Sequence, residues 1–207
     1  MIEVLYQDAY LIIVHKPHDV LSVPGKGPDK QDSLDRRLHR QGFHTARIVH
    51  RLDYATSGIM ILALDADTHR QLSTLFQERL IEKDYQALLS GVVEHDSGTI
   101  DQPLRCDWER RPLQIIDHEH GKRAITHYSV IERSTESTRV MLSPQTGRSH
   151  QLRVHMQYLG NPICGDRFYA HPDALAQSPV LCLHAQRLRF THPVNGQLID
   201  IEKACSF

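Results

Sequence analysis

Short blocks of apolar residues recur along this chain, and their period changes from block to block. Glu3 to Tyr6 and Tyr10 to His15 read as two strands of a hairpin, closed by Lys16 and Pro17. A Pro- and Gly-dense loop follows from Ser22 to Pro28. Asp32 or Ser33 then caps a helix that runs to about Arg40 and stops at Gly42. Ala46 to His50 reads as a short strand, and Gly58 to Leu64 is a continuous apolar run that predicts a strand covered on both faces. Leu72, Leu75, Phe76 and Leu80 recur at helical spacing, so the pattern predicts a helix from Thr68 to Arg79. Lys83 to Leu89 alternates as a strand, with Tyr85, Ala87 and Leu89 on one face. Ile125 to Ile131 and Thr138 to Leu142 form a further strand pair, and Ser149 to Leu159 a helix ended by Gly160. Leu181 to Phe190 and Gln197 to Ile201 make a closing hairpin. Strands dominate, with a few helices and no repeat or linker. This predicts an α+β fold, a mixed, mostly antiparallel central sheet with peripheral helices, built as one domain over residues 1–207.

Composition narrows the class. The chain has 40% apolar and 24% charged residues, ordinary for a globular protein and incompatible with a disordered one. The longest apolar run, Ile59 to Leu64, falls far short of the roughly 20 residues that span a bilayer. The start Met1, Ile2, Glu3 lacks the basic and apolar regions of a signal peptide. Cys106, Cys164, Cys182 and Cys205 show no C-x-x-C spacing, so reduced thiols and a cytoplasmic location are expected.

Charge changes the picture through its position. Lys and Arg total 24 against 25 Asp and Glu, for a net charge of −1. Yet from Arg36 to Arg51 there are five arginines (Arg36, Arg37, Arg40, Arg47, Arg51) and no acid. A second acid-free stretch, from Arg139 to His155, holds Arg148 and Arg153. Guanidinium clusters suit phosphate, which points to a nucleic-acid or phosphorylated partner. A solvated helix face would give the same pattern. Aromatics are only 6%, too few for a platform of several exposed rings that stacks bases.

Two segments carry chemistry. In His50-Arg51-Leu52-Asp53-Tyr54-Ala55-Thr56-Ser57-Gly58, Asp53 precedes a turn next to a buried strand. It is a candidate nucleophile or general base, or simply a turn residue. In Gly147-Arg148-Ser149-His150-Gln151-Leu152-Arg153-Val154-His155, Gly147 permits a tight helix entry. Arg148 then stands at a helix N-terminus, where a cation is unfavourable unless it serves a carboxylate or a phosphate.

Together these motifs resemble those of the RluA family of RNA pseudouridine synthases. The HRLD-x-x-TSG segment holds Asp53, and the K-x-Y strand holds Lys83 and Tyr85. The GR-S-HQ-L-R-V-H segment runs from Gly147 to His155, and G-x-P-I-x-GD-x-x-Y from Gly160 to Tyr169. Lys16-Pro17 and Val23-Pro24-Gly25 fit the family opening. Four motifs in order are far more specific than any one. Gln102 to Trp108 and Arg111-Pro112 resemble the dual-specificity members, which act on rRNA and tRNA. No S4-type RNA-binding domain precedes the motifs, so a bare catalytic domain is expected.

The resemblance implies isomerisation of a uridine to pseudouridine. Asp53 is then the catalytic carboxylate, Arg148 its partner, and Tyr85 the group that packs on the target uracil. Arg51 props the space left by a flipped base, and His50, Arg36, Arg37, Arg40, Arg47, Lys83 and Arg153 contact RNA. The expected substrates are a large-subunit (23S) rRNA stem-loop and a tRNA anticodon stem-loop, bound by a monomer with no protein or membrane partner. No cofactor is implied, since the reaction involves no redox change or group donor.

Competing chemistry fails on spacing. The chain has 15 histidines, but His150 and His155 lie roughly 140° apart on a helix and cannot share a metal. His118 and His120, on one face of a possible strand, lack a Cys or carboxylate at ligand spacing, so no metal site is expected. A nucleophilic Ser149 would need Gly where Gln151 stands. The remaining alternative is a non-catalytic RNA-binding protein on the same fold, against which the set Asp53, Tyr85 and Arg148 counts.

Overall fold

The structure, a computed structural model, describes residues 1–207. In chain order, β1 (Glu3–Gln7) and β2 (Leu11–Lys16) precede α1 (Leu34–Arg40), β3 (Arg47–Ile48), β4 (Ser57–Ala63) and α2 (Ala66–Gln77). Next come β5 (Glu82–Ser90), β6 (Ser97–Asp101), β7 (Leu104–Cys106), β8 (Gln114–Ile116), β9 (Ile125–Arg133) and β10 (Ser137–Pro144). The chain ends with α3 (Gln151–Tyr158), α4 (Pro172–Ala176), β11 (Leu183–Thr191) and β12 (Leu198–Glu202). It divides into two compact units, Met1–Lys83 with Ala185–Cys205 and Asp84–His184 with Ser206–Phe207. No helix is long and apolar enough to cross a membrane.

In the first unit β2 lies between β1 and β4, antiparallel to both, and the order continues from β4 to β11 and β12. Every residue of β4 is buried, as its unbroken apolar run predicts. Leu11, Ile13, Ile59, Ile61, Leu72 and Phe190 form the core between sheet and α2. α1 is capped by the Ser33 side chain and stops at Gly42, whose φ of 98° belongs to the left-handed region. α2 begins ahead of its apolar stripe because the Asp65 carboxylate accepts from the Thr68 amide at 2.8 Å. Gly58 is needed where it stands. Its φ is +126°, and a Cβ there would sit 2.4 Å from the Ala185 backbone.

In the second unit the strand order is β5-β10-β9-β6, all antiparallel. β7 and β8 form a separate hairpin. Leu104, Ala124, Val154 and Tyr169, with Leu113 and Ile116, pack that hairpin against α3. His118 and His120 lie in a turn rather than on a strand. The Asp117 carboxylate accepts from the Glu119 and His120 amides at 2.9 and 2.8 Å and fixes that turn.

Candidate active site

Asp53 sits on a short turn in which the Thr56 amide donates to the Asp53 carbonyl at 3.1 Å. Side chains hold the backbone on both sides of it. The Ser22 hydroxyl accepts from the Leu52 amide at 3.2 Å and donates to the Leu52 carbonyl at 2.8 Å. Lys16 Nζ donates to the Tyr54 carbonyl at 3.1 Å, and His18 Nδ1 to the Ala55 carbonyl at 3.0 Å. Lys16 ends the buried strand β2, is itself fully buried, and also donates to the carbonyls of Pro17 and Val20. Burial pulls its pKa down to about 7, against the opposing pull of the Asp53 and Asp19 carboxylates. Lys16, His18 and Ser22 are positioning residues that the motifs alone do not assign. A lysine closing an otherwise apolar strand is the one signal that the sequence offers for them.

Asp53 is carried by the first unit, and Tyr85 and Arg148 by the second. Tyr85 is half-buried on β5, opposite Leu142 of β10. Arg148 is exposed, two residues before the cap of α3, and its Nε donates to the Arg123 carbonyl at 3.0 Å. The buried Gln151 side chain organises this entry. Its Oε1 accepts from the Arg148 amide at 3.0 Å and the Thr146 hydroxyl at 2.7 Å, while its Nε2 donates to the Ile125 carbonyl at 2.9 Å. The tight entry is not made by Gly147. His150 takes the left-handed conformation, with φ 52°, and its ring is held by the Tyr169 hydroxyl at 2.6 Å. A side-chain tether of this kind offsets backbone strain at a non-glycine residue.

Two residues expected to contact RNA are engaged by partners within the protein, Arg153 buried and His50 half-buried. Arg153 is 4% exposed and forms a two-pronged ion pair with the buried Asp166 at 2.7 and 2.6 Å, so its guanidinium is committed inside the second unit. His50 Nε2 accepts from the Ile61 amide at 3.0 Å, and its ring stacks on Phe76 with centroids 4.4 Å apart. Burial first, and the Lys83 charge second, push its pKa down to about 3, so it stays neutral and structural. Lys83 joins this cluster, half-buried and 6.0 Å from the Phe76 ring. Arg36, Arg40, Arg47 and Arg51 are exposed. Arg36, Arg37 and Arg40 line one open cleft with His39 and His44. The stretch is free of acids only in sequence, since Asp32 pairs with Arg37 at 2.5 Å and reaches Arg40 at 3.5 Å.

Residues 10–158 match the model of the RNA pseudouridylate synthase family. A dual-specificity RNA pseudouridine synthase RluA of Haemophilus influenzae is 47% identical over 207 residues, covering 100% of this chain and 94% of that protein. The Yersinia pestis protein of the same name is 52% identical over 194 residues, covering 93% and 94%.

The chain belongs to the RNA pseudouridylate synthase family.

Among solved structures, human RNA pseudouridylate synthase domain containing 1 superposes with a TM-score of 0.84 at 30% identity, over 100% of this chain and 84% of that one. The second human protein of this kind, domain containing 4, gives 0.76 at 28% identity, over 98% of this chain and 88% of that one. The family assignment makes the chain an isomerase with RNA as its partner, on the α+β fold that the strand and helix pattern predicts. The match spans both units, and Asp53, Tyr85 and Arg148 all fall within it. It does not favour a non-catalytic RNA-binding protein.

Proposed function

We propose that this chain isomerises uridine to pseudouridine in a large-subunit rRNA stem-loop and a tRNA anticodon stem-loop. It does so as a monomeric, cytoplasmic, single catalytic domain. The dual-specificity names of its relatives support the pair of substrates, and a family match continuous across both units supports the single domain. The observation that carries the reading is the clamped turn: Ser22, Lys16 and His18 fix the backbone at Leu52, Tyr54 and Ala55 and so aim one carboxylate, Asp53. A group that must meet a reacting atom needs this fixed placement.

In this reading the target uridine leaves the stack, because its glycosidic bond is out of reach within a folded RNA. Arg51 fills the vacated space. Asp53 acts as its carboxylate, on the sugar carbon or on a sugar proton. The bond from the sugar to the uracil nitrogen breaks, the base rotates, and a bond forms to carbon 5. A base takes the proton displaced from that carbon and the uracil nitrogen freed from the sugar gains one, so the product is an isomer of the substrate and no cofactor is consumed. Tyr85 packs on the uracil and assists that proton's removal, and Arg148 takes the part of the family's conserved arginine partner.

The test compares wild type with Asp53→Asn on both RNA stem-loops, with pseudouridine mapped in rRNA and tRNA from cells that lack the protein. Expected are loss of turnover with RNA affinity kept, and loss of pseudouridine at one site in each RNA class. Wild-type turnover by Asp53→Asn removes the assignment.

A further inference from the structure

The β7–β8 hairpin carries the chain's single tryptophan at its tip, and the proposed reaction has no use for it. Trp108 is 66% exposed. The Arg111 guanidinium carbon lies 3.7 Å from its ring centroid, which covers one face of the indole. An exposed indole with an arginine on one face leaves its other face to a flat partner, and nucleobases are the flat partners that arginine and tryptophan bind together.

Charge at the tip fits the same partner. Asp107 and Asp117 are occupied by Arg110 at 2.8 Å and by Arg105 at 2.5 Å. Arg111 makes no ion pair and Arg110 stays largely exposed, with Glu109 the exposed acid beside them. The pairs that neutralise the acids also stiffen the loop, because the Asp107 carboxylate accepts from the Glu109 and Arg110 amides.

The hairpin is bolted to the segment that carries Arg148. The Tyr169 hydroxyl accepts from the Gln114 amide of β8 at 2.9 Å and bonds the His150 ring, two residues past Arg148. Leu104 of β7 exchanges backbone hydrogen bonds with Lys122 at 2.9 and 2.8 Å, and the next carbonyl, that of Arg123, accepts from Arg148. Whatever the tip grips is held in fixed register with that arginine.

We propose that the β7–β8 hairpin is a second RNA contact, in which Trp108 stacks on an unpaired base outside the one being isomerised and Arg110 and Arg111 hold the adjoining backbone. The proposal rests on the reading of the chain as an enzyme acting on RNA stem-loops. It adds a grip on a neighbouring loop nucleotide, which a stacking face provides with little regard to base identity.

Because Trp108 is the only tryptophan, its emission reports this contact directly. A synthetic RNA stem-loop with unpaired loop bases and an end-attached fluorophore is titrated into the full-length protein. Anisotropy of the fluorophore follows binding independently. The expected result is quenching of Trp108 emission over the same RNA concentrations that raise the anisotropy. Trp108→Ala then weakens binding roughly tenfold to a hundredfold, Trp108→Phe recovers most of it, and turnover at saturating RNA holds in both. Saturated anisotropy with unchanged Trp108 emission, or full affinity in Trp108→Ala, overturns the proposal. Pseudouridine formation by the wild-type protein is scored separately. A protein that quenches but isomerises nothing loses the proposed function and keeps the contact, and the reverse pattern keeps the function and loses the contact.

Discussion

The Lys16 ammonium donates to the Tyr54 carbonyl at 3.1 Å, and so fixes the peptide immediately beyond Asp53 from the buried end of a strand. Its other acceptors, the carbonyls of Pro17 and Val20, belong to the loop that leaves that strand. One buried cation thus ties the β2 exit to the turn of the candidate catalytic carboxylate. Lys16→Met keeps the length and removes all three hydrogen bonds. Orphaned buried acceptors cost about 1–3 kcal/mol each at most, so the melting temperature should fall by several degrees. Turnover should drop at least about tenfold, in line with a displaced reacting group, while RNA affinity stays close to wild type. Thermal melts, binding and single-turnover rates on the same preparations check this. A variant with wild-type turnover shows that the Asp53 turn holds without Lys16.

His50 makes stability depend on acid. Its pKa is about 3 in the folded chain against an ordinary histidine value of 6.5. Between those two values the unfolded chain binds a proton that the folded chain excludes, so stability is complete above pH 6.5 and falls as pH drops through the window. The loss reaches about 2–3 kcal/mol by roughly pH 4.5. His50→Gln can still accept from the Ile61 amide but does not titrate. Urea unfolding at neutral and at acid pH should show a smaller acid loss in the variant than in wild type. Equal losses in both would place the acid sensitivity elsewhere.

The sequence was most readable where one physical rule dominates. The unbroken apolar run of β4 and the alternation of β5 predict strands because burial on two faces or one face leaves those patterns. β6, Ser97–Asp101, leaves no such pattern because it is polar and contains Gly98, which lies against the Tyr128 ring. The three-residue strands β7 and β8 are too short to show any period. Asp53 and Arg148 stand in contiguous motifs and could be nominated. The Lys16 to Tyr54 clamp could not, since it joins residues 38 apart through a backbone carbonyl, which has no side-chain signature. The internal partners of Arg153 and His50 are illegible for a related reason. A basic cluster in sequence says nothing about an acid 13 residues away, such as Asp166, or a backbone amide 11 residues away, such as that of Ile61.

Arg153 and Asp166 are both buried, so breaking the pair should be costly and mending it cheap. Arg153→Met strands the Asp166 carboxylate and should destabilise by about 3–5 kcal/mol. Arg153→Met combined with Asp166→Leu should recover a large part of that loss. Because the pair is internal, the salt dependence of RNA binding in any variant that folds should match wild type. Denaturant midpoints and salt titrations test both halves of the statement. A reduced salt slope would return Arg153 to the RNA surface.

The cleft beside α1 makes a sharper electrostatic prediction, because its cations are not equivalent. Arg36 and Arg40 are exposed, whereas Arg37 is bound by Asp32 at 2.5 Å, a pairing that raises the Arg37 pKa and lowers that of Asp32. A guanidinium that neutralises a phosphate releases counterions, so each lost contact lowers the slope of log K against log salt by about 0.7–0.9. Arg36→Ala and Arg40→Ala should each remove roughly one such unit. Arg37→Ala should weaken binding through a second route, since it leaves the Asp32 carboxylate without its strongest partner and turned toward the same RNA. Asp32→Asn should do the opposite, freeing Arg37 and strengthening binding at low salt. Stem-loop affinities measured over a range of salt concentrations separate these cases. Unchanged slopes in both Arg36→Ala and Arg40→Ala would take the cleft off the path of the RNA, whatever the state of Asp32.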